Sequence, residues 1–461
     1  MQQDIPVLRM KSFEALIIII ILLVFISYSM ISLGVVPHIP ITLSIIGLIA
    51  YGLVKKVSIK DLEKGMTNGV QSGIGAVFIF FFIGMLISSW IAGGTIPTFI
   101  YAALSLDSSQ YFYTIVFLVT SIIGLFIGSS LTTAATLGVT FISVATALDL
   151  SLAITAGAVV SGAFFGDKLS PLSDTTTLSS MVVGVDLFEH IKNMLWTTVP
   201  AFIISLVLFI FLSPGKQISN IDKMDELKEM LLELNFVHWY SVIPFILLAV
   251  LSMKKVSAIV TLGTSTLSAL ILTPFVQTNF PLEKILSLLY FGFKSETGNA
   301  EIDSLLTRGG MESMMFSISL VLLALSMGGL LLKLGIISAL LDGIKKYLIK
   351  PSILIFSTAL SSIGVNFLMG EQYLSILLPG NTFAQSYKEI NLHPKNLSRV
   401  LEDAGTVVNP LVPWSVCGIF LTRVLGVPTI EYSIFAFFCL LSPVLTIIAG
   451  ITGISISKLK K

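Results

Sequence analysis

Charge is what this sequence has least of. Of its 461 residues, 27 are Lys or Arg and 26 are Asp or Glu, 11% together. Ordinary soluble domains carry about 25%. The two signs nearly cancel, leaving a formal charge of +1. There is therefore no basic surface of the kind that nucleic acids require, and nucleic acid is not an expected partner. Cysteine is equally scarce. Cys417 and Cys439 both sit in apolar surroundings, which argues against a disulfide framework or a cysteine-based zinc site. The histidines His38, His190, His238 and His393 are scattered without metal-ligand spacing, so they are expected near span ends, at the surface or the membrane interface. No Walker A pattern is present, and no Gly-x-Ser-Gly or His-Glu-x-x-His. Gly166-Asp167 matches half of an aspartyl-protease motif, but Phe164 replaces its first glycine and no Tyr-Asp partner follows. An enzyme is not the expected reading, and no cofactor is implied.

What is present is apolar sequence. Hydrophobic residues make up 55% of the chain. Uncharged runs of about 20 residues, each long enough to cross a ~30 Å hydrocarbon core as a helix, recur along it. The composition predicts an all-α polytopic membrane protein whose main partner is the lipid bilayer. Spans are expected at 15–36, before Lys55, and near 73–92, 111–131, 132–148, 150–166, 194–213, 236–252, 256–275, 313–334, 351–368, 370–386, 407–424 and 432–455. Some of these will be half-helices, which leaves roughly 11–13 hydrophobic segments. Lysine-rich loops stay cytoplasmic. Arg9 and Lys11 are separated by two crossings from Lys55, Lys56, Lys60 and Lys64, which predicts a cytoplasmic N-terminus.

The halves of the chain resemble one another in order. Thr67–Ser72 matches Arg308–Ser313, and Ser170-Pro-Leu172 matches Asn409-Pro-Leu411. Gly184-Val185 and Glu189 match Gly426-Val427 and Glu431, and Pro200 matches Pro443. Lys55/Lys56 follow the second span of the first half, whereas Lys254/Lys255 follow the first span of the second. If both pairs are cytoplasmic, so are Lys458, Lys460 and Lys461, and the halves are inverted, as is common in secondary transporters. The expected organisation is a first membrane repeat at 1–213, an acidic extracytoplasmic connector at 214–235, and a second, inverted repeat at 236–461. The connector sets Lys216, Lys223 and Lys228 against Asp222, Asp225, Glu226, Glu229 and Glu233. Its stretch Met224–Leu234 reads as an amphipathic helix.

Two polar stretches interrupt the apolar pattern. The first runs from Ser161 to Thr177 and holds Asp167, Lys168 and Asp174. Gly162, Gly166 and Pro171 argue against a continuous helix there. An ionisable residue at membrane depth costs at least ~2.5 kcal/mol and is a functional candidate by default. Unwound backbone at that depth lines cavities and exposes carbonyls that can coordinate a cation. Asp174 with Thr175, Thr176 and Thr177 supplies a carboxylate and hydroxyls at a predicted helix start. Ser173 or Asp174 acting only as a helix cap is the plainer reading, as is a structural ion pair for Lys168. The second stretch, Glu402–Trp414, has the same ingredients: Asp403, Gly405, Thr406, Asn409, Pro410 and Pro413. The repeat would set it facing the first. Asp403 is its best acidic candidate, while Arg399 could pair with Glu402 near the surface. The hydroxyls of Ser129–Thr136, and Asn366, Glu371 and Gln372, form a further pair of polar stretches. Glu371, between apolar runs, is a candidate for coupling or substrate binding. Gly84, Gly93, Gly94, Gly328 and Gly329 suit close helix packing.

With Gly166-Asp-Lys-Leu-Ser-Pro-Leu-Ser-Asp-Thr-Thr176 in view, the chain resembles the NhaC family of Na⁺/H⁺ antiporters. Leu305–Met315, Leu401–Thr406 with Asn409–Trp414, and Asp186–His190 carry the same resemblance, over nearly the whole chain. It implies a secondary transporter of the bacterial cytoplasmic membrane with broken helices, a homodimeric assembly and elevator-like motion. It also brings in relatives of malate/lactate exchange type. Many relatives have Asn where this chain has Thr177. The expected function is exchange of Na⁺ for H⁺, the cation and the proton competing for buried carboxylates at the repeat interface. The expected ion or substrate residues are Asp174, Asp167, Thr175, Thr176, Asp403, Thr406, Asn409 and Glu371, with Asp174 and Asp403 holding Na⁺. The alternative is a Na⁺- or H⁺-coupled exchanger of organic anions or amino acids, with Lys168 or Arg308 helping to hold a substrate carboxylate.

Overall fold

The computed structural model describes residues 6–105, 109–215, 221–277, 281–345 and 350–459. Lys216, Lys460 and Lys461, used above for charge and topology, lie outside them. Among the described residues the secondary-structure elements are all helices. That is the form a backbone must take where lipid offers it no hydrogen bonds. Eight helices are long and apolar enough to cross a membrane, or nine if the bent pair Pro394–Leu411 and Val416–Leu425 is one span; five apolar helices are shorter.

In chain order, α1 (Ser12–Ile31) and α2 (His38–Val54) lead into α3 (Ile59–Ala92), the longest helix. The lysine-rich segment expected as a loop is mostly the start of α3. Ser58 accepts a hydrogen bond from the Asp61 N–H at 3.1 Å and so caps the helix before its charged first turns. At 1.5 Å per residue α3 is about 50 Å long, more than the bilayer core needs. The short helix α4 (Thr95–Ser105) follows, then α5 (Phe112–Ile127) and α6 (Ser130–Ala147). These two form a hairpin that turns at Gly128 (φ 68°), and the Ser151 N–H bonds back to the Tyr113 hydroxyl at 2.9 Å. Next come α7 (Leu152–Leu169), α8 (Asp174–Val183) and α9 (Leu187–Leu212). The connector carries α10 (Ile221–Glu233), on which Leu227 and Leu231 are buried beside Leu104 and Leu305.

The second half begins with α11 (Trp239–Met253), α12 (Ala258–Val276), α13 (Leu282–Phe291) and α14 (Ala300–Leu306). Then come α15 (Met311–Lys333), α16 (Ile336–Lys345) and a second hairpin, α17 (Pro351–Met369) and α18 (Gln372–Glu389), turning at Gly370 (φ 67°). The chain ends with α19 (Pro394–Leu411), α20 (Val416–Leu425), α21 (Thr429–Ser433) and α22 (Phe437–Thr452). Helices α4, α13, α14 and α16 were not among the expected spans. They are short and do not repeat the long apolar run on which that reading relied.

Local devices recur at one constant interval along the chain. Gly128 and Gly370 turn the hairpins, and Gly184 and Gly426 end α8 and α20, all in the left-handed region. The side chains of Ser129 and Glu371 cap the second arms of the hairpins, and those of Ser173 and Ser415 cap the helices after the breaks. Each hairpin tip also rests on a break: Gly128 on Ser170 and Leu172, Gly370 on Trp414 and Ser415. A Cβ at Gly128 would leave no room for Ser170 or Leu172.

Helices α3 and α15 pack along a seam in which Gly65 meets Lys333, Gly69 meets Gly329, Gly73 meets Leu325 and Gly84 meets Met314. Numbers rise on one helix as they fall on the other, so the two run antiparallel. With α12 and α13 they form one packed group, while α5, α7, α8 and α9 pack with the hairpin α17–α18, with α19 and with α22.

Candidate functional site

The first break is shorter than expected. Helix α7 continues through Gly162, Gly166, Asp167 and Lys168 and ends at Leu169, so only residues 170–173 are unwound. The two glycines do not break the helix; they let it lie directly against α5, at Phe117–Ser121 and at Gly124–Leu125. Pro171 supplies the break. The Ser173 hydroxyl then accepts from the Thr176 N–H at 3.4 Å and starts α8, while the Thr176 hydroxyl donates to the Lys168 carbonyl at 3.0 Å across the gap.

The two interrupted helices meet through buried polar groups. Lys168 and Asp403, both fully buried, form an ion pair between the halves. Lys168 also donates to the Ser442 hydroxyl at 2.8 Å, which donates to the same Asp403 oxygen at 3.1 Å. The other oxygen of Asp403 has no hydrogen-bond partner among the described residues. Glu402, also fully buried, accepts from the Thr175 hydroxyl at 3.0 Å and the Ser179 hydroxyl at 2.5 Å. The helix widens into a π-turn over Glu402–Thr406, which releases carbonyls for outside donors. Asn366 donates to the Gly405 carbonyl at 2.5 Å and Gln372 to that of Thr406 at 3.0 Å. Asn409 donates to the Asn366 side-chain oxygen at 2.8 Å and accepts from the Cys417 N–H at 3.0 Å. A neutral amide network thus fastens the tip of the second hairpin to the second break.

In front of this polar core lies a cavity of about 400 Å³. Asp174, on the first turn of α8, is exposed in it, and Thr177 stands one turn further on. Glu371, only 4% exposed, reaches it from the start of α18 while accepting the Leu374 N–H at 2.8 Å. Apolar walls come from Leu178 and Met181 on one side and Leu374 and Leu377 on the other; Tyr373 completes that side. Ser72 of α3 closes the cavity from the opposite group of helices. Asp167, 6% exposed, is set behind, within reach of Ser130 and Ser173 and of the charge on Asp174. Among the described residues lining the cavity, none is basic.

The expected site residues therefore divide. Asp174 and Glu371 share the cavity. Thr175 and Thr176 turn inward to Glu402 and to the α7 carbonyl. Asp403 is engaged by Lys168, Asn409 belongs to the amide network, and Thr406 is buried beside it. Lys168 is likewise taken by Asp403 and is not among the residues lining this cavity. No group of three or more His, Cys, Asp or Glu gathers as metal ligands among the described residues. Two expectations are corrected. Arg399 does not meet Glu402 near the surface: it is buried and donates to the Ser455 hydroxyl at 2.9 Å. His190 is not interfacial: it is fully buried, 2.8 Å from the Ser398 hydroxyl. Sequence reasoning passed over Ser179, Ser442, Ser72 and Tyr373. Two of them carried a signal: Ser72 lies in a repeat-matched stretch, and Ser442 stands beside the repeat-matched Pro443.

Interrupted helices meeting inside an apolar bundle, beside a cavity that carries carboxylates at that meeting point, define a secondary transporter of the membrane. The particular family follows from comparison. A profile of the Na⁺/H⁺ antiporter family matches residues 5–181 and 162–454. The chain is 43% identical over 446 residues to the Na⁺/H⁺ antiporter NhaC of Alkalihalophilus pseudofirmus, covering 96% of both chains. It is 41% identical to the Na⁺/H⁺ antiporter NhaC of Bacillus subtilis, over 91% of this chain and 93% of that one. A malate-2H⁺/Na⁺-lactate antiporter of Bacillus subtilis is 35% identical, over 86% and 85%. The chain belongs to the Na⁺/H⁺ antiporter family and is a multi-pass protein of the cell membrane.

Proposed function

We propose that this protein exchanges Na⁺ for H⁺ at the cavity between α3 and the two broken-helix assemblies, with Asp174 and Glu371 as the groups that carry charge. A carboxylate takes up a proton or a cation in competition, and each neutralises it. An empty, charged cavity is costly to move through a low-dielectric environment, whereas either loaded form is not. Coupling follows from that difference: the protein returns only when loaded, so an inward proton gradient expels Na⁺. No ATP chemistry is needed, and the chain acts as a transporter rather than an enzyme. Asp167, close enough to sense the charge on Asp174, tunes that site from behind.

The observation that carries this reading is a cavity with two carboxylates and, among the described lining residues, no basic one. It favours a cation over the organic anion named for the more distant relative, because neither expected partner for a substrate carboxylate, Lys168 or Arg308, lines the cavity, and Lys168 is bound to Asp403. We also infer that residues 1–213 and 236–461 are inverted repeats joined by an acidic connector. The antiparallel packing of α3 on α15 and the recurring caps and turns support that reading.

Purified protein in proteoliposomes with a trapped pH dye provides the test. Na⁺ gradients imposed alone are expected to move protons. Asp174→Asn is expected to keep its folded yield, because Asp174 is exposed, and to lose Na⁺-dependent flux. Normal flux in that variant removes Asp174 from the site. Proton movement only after malate or lactate is added would transfer the assignment to solute exchange.

A further inference from the structure

The cavity is much larger than the ion it is proposed to serve. Its volume of about 400 Å³ would hold roughly a dozen waters at ~30 Å³ each. That lies within the range of about 300–1,000 Å³ typical of small-molecule sites, which combine apolar walls with a few polar groups. A dehydrated Na⁺ uses only the carboxylate end. The remaining surface, from Leu178, Met181, Leu374 and Leu377, offers a monatomic cation nothing. It does suit an alkyl chain. Tyr373 adds an aromatic ring beside Glu371, and aromatic faces attract organic cations.

We propose that this cavity binds small organic monocations with a short apolar tail, the charged head at Asp174 and Glu371 and the tail along the leucine and methionine walls, in competition with Na⁺. The proposal rests on the reading of this cavity as the cation site. A guanidinium head suits it well, since its planar fork of N–H donors matches carboxylate oxygens. Organic anions of equal size are excluded by the same two carboxylates.

The test uses the full-length purified protein and n-butylguanidinium, which remains charged at working pH and so carries no protons across a bilayer. Calorimetric titration in K⁺ buffer is expected to show saturable binding whose apparent affinity falls as Na⁺ is added. Guanidinium without the tail is expected to bind at least about tenfold more weakly, since each buried methylene contributes to transfer out of water. Filling the cavity with Leu178→Trp is expected to remove the advantage of the tail, and the tail-length series provides the same information if that variant does not fold. In proteoliposomes n-butylguanidinium is expected to slow Na⁺-driven proton movement. If Na⁺ moves protons but n-butylguanidinium does not bind, or binds without regard to Na⁺, the organic-cation site is overturned and cation exchange stands. Na⁺-sensitive binding without Na⁺-driven proton movement supports the organic-cation site and overturns the exchange reading.

Discussion

Asp403 and Asp174 are both aspartates at interrupted helices, and their surroundings are opposite. Asp403 is fully buried, paired with Lys168 and bonded to Ser442. Asp174 stands exposed in a cavity whose described lining contains no cation. The first charge is spent inside the protein, tying one half of the chain to the other. The second is available to whatever enters. The same contrast separates Glu402, held by two hydroxyls, from Glu371, which caps a helix and still faces the cavity. An acidic residue at membrane depth is therefore not by itself a transport residue; its partners decide its role.

The comparison breaks most sharply at Lys168. Lys168→Met leaves Asp403 buried without its ion-pair partner, with only the more distant charge of Arg399 to face it. Removing one partner of a buried pair costs about 3–5 kcal/mol, so folded yield and thermal stability in detergent are expected to fall severely. Combining Lys168→Met with Asp403→Leu is expected to recover most of that loss, because an apolar pair of similar volume needs no compensation. Recovery is read from the melting temperatures of the single and double variants; a double variant as unstable as Lys168→Met would show that the pair does more than neutralise itself. A smaller loss is expected at Ser179→Ala. It removes one of two hydroxyl donors to Glu402, a hydrogen bond to a charged acceptor being worth about 1.5–3 kcal/mol. An unchanged melting temperature would mean that Glu402 is satisfied without Ser179.

Part of this contrast was visible in the sequence. The interrupted segments announced themselves through Pro171, Pro410 and Pro413, and the start of α8 through Ser173 and Asp174. The polar residues placed at membrane depth were the right ones to examine. Their partners were not legible, because Lys168 and Asp403 are separated by 235 residues and nothing local specifies which carboxylate a buried lysine meets. Gly162 and Gly166 were misleading for a related reason. A glycine that ends a helix and one that lets a neighbouring helix approach look the same in one dimension, and here α5 decides between them. The hairpins were hidden because α5 and α17 have the apolar character of complete spans, while a single left-handed glycine turns each of them back.

The smallest stability effect and the clearest functional one are expected together at Glu371→Gln. The Glu371 side chain caps α18 through one oxygen, which accepts the Leu374 N–H. A glutamine carbonyl can accept the same bond, so the cap survives and stability should change by less than about 1 kcal/mol. What is lost is the negative charge on the cavity wall. Na⁺-driven proton movement in proteoliposomes is expected to fall at least about tenfold while the melting temperature holds, the reverse of Lys168→Met, where stability falls first. If Glu371→Gln instead unfolded the protein and left the flux of the surviving fraction unchanged, Glu371 would belong with Glu402 and Asp403 among the charges that hold the halves together, and Asp174 alone would remain to meet the ion.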